Sequence, residues 1–105
     1  MLGEFEYLVL SAAARLEGDA YGAAILKEVE RAARQRCSIG ALYTTIDRLE
    51  KKGLLTTWMG DPTALRGGRA KRMVKVTAKG SREAAAFYTA VVRASDGLAW
   101  QLRIP

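Results

Sequence analysis

The chain has 105 residues, half of them hydrophobic, with 17 Lys/Arg against 11 Asp/Glu, no histidine and a net charge of +6. That length supports one domain, or one domain plus a partnering helix, and a second copy would help so small a chain complete its core. No apolar run reaches the ~20 residues of a membrane span, no basic leader opens the chain, and the single Cys37 cannot close an internal disulfide; with no Cys/His zinc set and no Gly-rich phosphate loop, a cytoplasmic, non-enzymatic protein without cofactors is expected.

The spacing predicts a first helix over Gly3–Leu16, with Phe5, Leu8, Val9, Ala12 and Leu16 on one face. Glu17-Gly18-Asp19 should end it, Gly18 supplying a left-handed stop and Asp19 capping the next helix. A second helix is expected over Ala20–Arg34, its stripe formed by Tyr21, Ile25, Val29 and Ala32/Ala33. Gly22 near its start is a poor helix former whose missing side chain would admit a second helix at close range.

Ser38 has the chemistry of an N-cap and Gly53 that of a helix stop, so SIGALYTTIDRLEKKG reads as a third, amphipathic helix. Ile39, Leu42, Ile46 and Leu49 cluster on one side of it. Gly40, Ala41, Thr44, Asp47, Arg48 and Lys51 fall opposite, and Tyr43 sits on the boundary. Leu54–Met59 and Ala70–Val76 read as two strands joined by a projecting loop, Gly60–Arg69. Thr77 should cap a long fourth helix running from Ala78 to Gly97 or beyond. Ala84, Tyr88, Val91, Ser95 and Leu98 repeat along it at four-three spacing, flanked by Phe87 and Val92. Little else in the chain could cover that stripe, so it is expected to meet a second copy, together with Phe5 and Leu8 of the first helix.

The order is α-α-α-β-β-α, mainly helical with a small β-hairpin. It corresponds to a winged helix-turn-helix over residues 1–77 and a C-terminal dimerisation helix over 78–105. Charge points to what such a module meets. From Arg48 to Arg82 there are ten Lys/Arg against Glu50 and Asp61, a local balance of +8 in a chain of +6. A basic helix-plus-hairpin is the electrostatic footprint of a duplex DNA reader. Gly40, Ala41 and Thr44 are small or hydrogen-bonding, as the leading end of a helix in a major groove requires, and Thr44 or Thr45 could meet a thymine methyl or a base edge. Arg48, Lys51, Lys52 and Lys71 would meet phosphates, and Arg66-Gly67-Gly68-Arg69 would lay a wing tip along the backbone.

Each of these features also has a plainer reading. The outer face of the third helix could simply be solvated, and the Gly/Arg loop a soluble hairpin tip. Tyr43 could donate to a phosphate or pack its ring at the helix edge. Cys37, near a helix start and two arginines, could sense oxidants or be a small packed side chain. Trp100 could line a cavity or fill an interface. At the level of the whole chain the rivals are a winged-helix module docking on an acidic protein, and a ligand sensor without specific DNA binding.

The pieces LGEFEYLVL, DAYGAAILKEVE, SIGALYTTIDRLEKKGLL and RGGRAKRMVKVTAKG, in that order, resemble the PadR family of transcriptional regulators in its short form. The resemblance implies a homodimeric repressor on a palindromic operator, with Ser38, Gly40, Ala41, Tyr43, Thr44 and Arg48 at the recognition helix and Arg66, Gly67, Gly68 and Arg69 at the wing tip. It also implies release by a small aromatic effector. The family often carries two aromatics after the wing where this chain has Met73 and Val74, and no motif beyond Arg82 identifies an inducer.

Overall fold

Two hydroxyls mark helix starts. Ser38 Oγ accepts from the Ala41 amide at 3.1 Å and opens a helix over Ile39–Lys51. Thr77 Oγ1 accepts from the Gly80 amide at 3.0 Å, opening a helix over Ala78–Ser95, and donates to the Gly53 carbonyl at 2.7 Å. One side chain therefore caps one helix and ties it to the end of another. The computed structural model describes residues 1–60 and 70–101. In chain order the elements are α1 (Glu4–Leu16), α2 (Gly22–Ala33), α3 (Ile39–Lys51), β1 (Leu55–Met59), β2 (Arg72–Val76) and α4 (Ala78–Ser95), with one 3₁₀ turn at Glu17–Asp19. This is the expected order, four helices and an antiparallel hairpin in which Leu55 faces Val76 and Met59 faces Arg72. The predicted Gly60–Arg69 loop lies, apart from Gly60, outside the described residues.

The core is aliphatic. Leu10, Ile25, Leu42, Ile46, Leu49, Leu55 and Val74 are fully buried, each worth roughly 1.5–3 kcal/mol of removed apolar surface. Helix α1 runs through the middle of the fold, touching α2, α3, α4 and β2. Its burial therefore spreads wider than the single predicted stripe: Glu6, Val9, Leu10, Ala12 and Ala13 are buried, while Phe5, Leu8 and Leu16 are only partly covered.

Helix α1 ends at Leu16 as expected, but the α1–α2 junction differs in detail. Glu17, not Gly18, takes the positive φ (48°), and Asp19 caps nothing: α2 begins at Gly22, after Tyr21, with no side-chain cap. The cause is tertiary. Ala20 and Tyr21 stay extended because they pair with the hairpin: the Val74 amide donates to the Ala20 carbonyl at 2.8 Å, and Tyr21 bridges Met73. Two residues that periodicity assigns to a helix thus act as a third, one-rung strand. On α3, Ile39 is half exposed rather than internal, because the first turn projects beyond the core. Gly53 does stop that segment, at φ 77°. Helix α4 ends at Ser95, just short of the Gly97 expected, and Gly97 itself sits at φ 76°.

Gly80 is required for α4 to reach the hairpin. A Cβ there would collide with the Leu54 carbonyl oxygen and stand 2.9 Å from Val76 Cγ1. Beyond Phe87 the side chains of the helix are largely exposed. Tyr88, Val91 and Val92 are each about half exposed, and Trp100 beyond the helix is 75% exposed.

Candidate nucleic-acid interface

Burial of Leu42, Ile46 and Leu49 orients everything else on α3. Gly40, Ala41, Thr44, Arg48 and Lys51 all lie on the solvent side, with Ser38 exposed at its start. Thr44, Asp47, Arg48 and Lys51 line a shallow depression on that face. Thr45 is buried, which removes it from the two candidate threonines and leaves Thr44. The small residues at the front and the cations toward the rear match the order in which a helix would meet base edges and then phosphate.

Of the two roles weighed for Tyr43, the structure shows the packing one. A Cβ on Gly22 would overlap the Tyr43 hydroxyl and fall 2.8 Å from Cζ, so the ring rests on the first turn of α2 in the space that the glycine leaves. The residue is still 38% exposed. This is the close approach expected at Gly22, made by a side chain rather than by a helix backbone.

The basic stripe is partly consumed inside the protein. Lys52 Nζ pairs with Glu6 Oε2 at 2.8 Å, clamping the end of α3 to the start of α1. Glu6 also accepts from the Gly3 amide at 2.8 Å. Burial pushes the Glu6 carboxyl up, but the Gly3 N–H, the Lys52 ammonium and the Arg48 charge together outweigh it and hold it below its ordinary value. Lys79 Nζ donates to the Lys52 carbonyl at 3.0 Å. Lys71 Nζ lies 3.9 Å from the centre of the Tyr21 ring, a cation–π contact. Among the described residues, Arg48, Lys51, Lys75 and Arg82 are the cations of the stripe that enter no side-chain hydrogen bond, ion pair or cation–π contact. Arg66, Gly67, Gly68 and Arg69, the expected wing tip, lie outside the described residues.

One functional cluster escaped the sequence reading. Arg72 Nη2 on β2 reaches Asp47 Oδ1 at 2.8 Å and Glu50 Oε1 at 3.4 Å, both on α3, and Glu50 accepts from the Thr57 hydroxyl on β1. Helix and hairpin are thereby strapped together across 25 residues of chain. The spacing of Asp47 and Glu50 at i, i+3 was visible. That a wing arginine would bridge them depended on the strand register.

On the far side, the expected dimer residues divide. Ala84 and Phe87 turn inward: Phe87 stacks on Tyr7 of α1, with ring centres 5.1 Å apart and planes at 17°. Ser95 donates its hydroxyl to the Val91 carbonyl of its own helix at 2.7 Å. Tyr88, Val91, Val92 and Leu98 remain in water. Two adjoining grooves run along α1, sharing Ala14, Val76 and Ser81. One, of about 440 Å³, also lies between Tyr7 and Tyr88; the other, of about 590 Å³, reaches Trp58 and Lys75. Cys37 is half-buried, its amide donating to Glu30 Oε2 at 3.0 Å. No helix of the described residues is long and apolar enough to cross a membrane, and none of their His, Cys, Asp and Glu gather in a metal-binding cluster.

Residues 9–86 match the transcriptional regulator PadR-like family. Solved structures share the fold. A PadR-like transcription factor from Bacteroides fragilis superposes with a TM-score of 0.70 at 22% identity, covering 88% of this chain and 84% of that one. The protein smu.1704 from Streptococcus mutans UA159 gives 0.69 at 24% identity, covering 95% and 91%. A PadR family transcriptional regulator from Eggerthella lenta DSM 2243 gives 0.68 at 24% identity, covering 90% and 82%. None of the curated proteins is similar enough in sequence to match. The chain belongs to the PadR-like family of transcriptional regulators, whose members act by binding DNA.

Proposed function

We propose that this PadR-like regulator is a homodimeric repressor that binds an inverted-repeat operator and is released by a small aromatic effector. The observation that carries the reading is the outer face of α3. Leu42, Ile46 and Leu49 of its apolar side are inside, and Gly40, Ala41, Thr44, Arg48 and Lys51 stand in solvent beside a hairpin strapped to the same helix. Ser38, Tyr43 and Lys71 are assigned to the same contact, as are Arg66, Gly67, Gly68 and Arg69, which lie outside the described residues. Lys52, held by Glu6, sets the position of the helix end rather than adding its full charge to the contact.

Residues 1–77 read DNA in this proposal, and residues 78–105 hold two copies together. The exposed Tyr88, Val91, Val92 and Leu98 support the second role, since an apolar row of this kind is stable in water only when covered. Phe5, Leu8, Ala84, Phe87 and Ser95 are assigned to the same interface in this proposal. Two-fold symmetry then sets the half-sites about one helical turn (~34 Å) apart. Repression is steric occupancy of a promoter. The grooves beside Tyr7, Tyr88 and Trp58 favour a planar apolar effector, since they lie between α1 and the helix that spaces the two copies.

Gel shift of the full chain on its own upstream DNA tests the reading. Neutralising about six to ten phosphates makes affinity fall by ~10³ to 10⁵ between 50 and 200 mM salt. Thr44→Ala should relax sequence preference, whereas Arg69→Ala should weaken all sequences nearly alike. Weak, sequence-blind binding with a flat salt response would instead identify a protein-docking module. Quenching of tryptophan fluorescence by planar aromatics without specific DNA binding would identify a sensor.

A further inference from the structure

One acidic residue interrupts the outward face of α3. On a helix turning 100° per residue, Leu42, Ile46 and Leu49 define the inner side, and the ridge opposite consists of Gly40, Thr44, Asp47 and Lys51. Asp47 therefore stands among the side chains that would reach furthest into a groove, with 58% of its side chain exposed. A bare carboxylate there would repel the phosphates on either side. The wing answers that charge. Arg72, itself only 27% exposed, holds Asp47 Oδ1 at 2.8 Å while also touching Glu50. The strap offsets part of that charge, one guanidinium serving two carboxylates, and restrains the Asp47 side chain. Among the described residues, no hydrogen bond or ion pair engages Oδ2.

We infer that Asp47, oriented by Arg72, reads a base: it accepts a hydrogen bond from the exocyclic amino group of a cytosine in the major groove. The inference rests on the DNA-binding reading of this same face. An ionised carboxylate only accepts. In the major groove guanine offers acceptors alone, thymine an acceptor and a methyl group, and adenine a donor beside an acceptor. Cytosine offers its amino donor with no acceptor of its own alongside. Cytosine is thus the base that Asp47 meets without facing a lone pair on the same ring. Arg72 is a positioning residue here, and it makes the reading head a joint product of helix and wing.

Selection of bound duplexes from a randomised pool tests this, using the full chain and its Asp47→Ala, Asp47→Asn and Arg72→Ala variants, each first checked for folding by thermal melting. The wild type should enrich one cytosine per half-site. Asp47→Ala should level that position, costing about tenfold in affinity on wild-type sites, and leave the neighbouring preferences intact. Asp47→Asn should move it toward adenine, whose amino group and N7 suit an amide. Arg72→Ala should blur the same position. If Asp47→Ala keeps every wild-type preference and shifts all affinities by one common factor, Asp47 is only an ion-pair partner and the inference falls while the DNA-binding reading stands. If the wild type itself enriches no sequence, both fall.

Discussion

Helices α3 and α4 are both amphipathic, yet they meet water differently. Leu42, Ile46 and Leu49 of α3 are sealed, and apart from Ile39 in its first turn what the helix shows to solvent is small, hydroxylic or charged. Helix α4 is anchored at its start by Thr77 and Gly80, and then carries Tyr88, Val91 and Val92 out into water. The first helix is complete within one chain and presents a polar surface to something outside it. The second leaves an apolar surface uncovered. The contrast separates two kinds of contact: one driven by charge and hydrogen bonding, the other by removal of apolar area from water.

The comparison breaks most visibly from the α3 side. Leu49→Ala should cost about 2–5 kcal/mol, because a sealed site cannot collapse fully around the cavity; urea unfolding would measure it, and a cost near zero would mean that α3 is not the keel of the core. At the root of α4, Gly80→Ala should cost roughly 1–3 kcal/mol, since the new methyl group meets the backbone oxygen of Leu54 and the helix must shift. A melting temperature equal to wild type would show that this contact yields freely.

Further out, Val91→Asp should leave the folded protomer nearly as stable as before and weaken self-association by at least about tenfold, or ~1.4 kcal/mol. Sedimentation over a range of protein concentrations would reveal it. Unchanged association would remove α4 from the interface. The smallest effect belongs to the clamp between α3 and α1. The Glu6 carboxyl titrates below its ordinary 4.5 in the folded protein, so its contribution is fully present above that pH and is lost as pH falls below it. Because Lys52 is nearly half exposed, the contribution is about 1 kcal/mol or less. Glu6→Gln should therefore lower stability slightly at neutral pH and flatten its decline below pH 4.5. A variant as acid-sensitive as wild type would move that role to another carboxylate.

Legibility in the sequence followed the range of the interactions. Ser38, Gly53 and Thr77 were readable because caps and stops act within about four residues, and the α3 inner face was readable because three aliphatic residues recur at helical spacing. The α1–α2 junction was not. Glu17-Gly18-Asp19 does end α1, but the hairpin recruits Ala20 and Tyr21 as strand partners, and that pairing delays the start of α2 to Gly22. At the site, Thr44, Arg48 and Lys51 were placed outward by periodicity alone. Thr45 was misjudged as a contact candidate because it lies at the edge of the buried arc. The intramolecular partners of Lys52 and Lys71, Glu6 and Tyr21, were not legible, since they lie 46 and 50 positions away.

The sequence by itself determined the elements, their order, the inner faces of α3 and the hairpin, and the excess of positive charge that accompanies them, because each of these is set by neighbours along the chain. Only the tertiary structure decided which charges remain available, since Glu6 claims Lys52 and the acidic pair on α3 claims Arg72. It also decided that Asp47 stands at the crest of α3 under the hold of a wing strand. Ion pairs are fixed by distance in space, and residues far apart in sequence become neighbours only once the core has set the register between helix and hairpin.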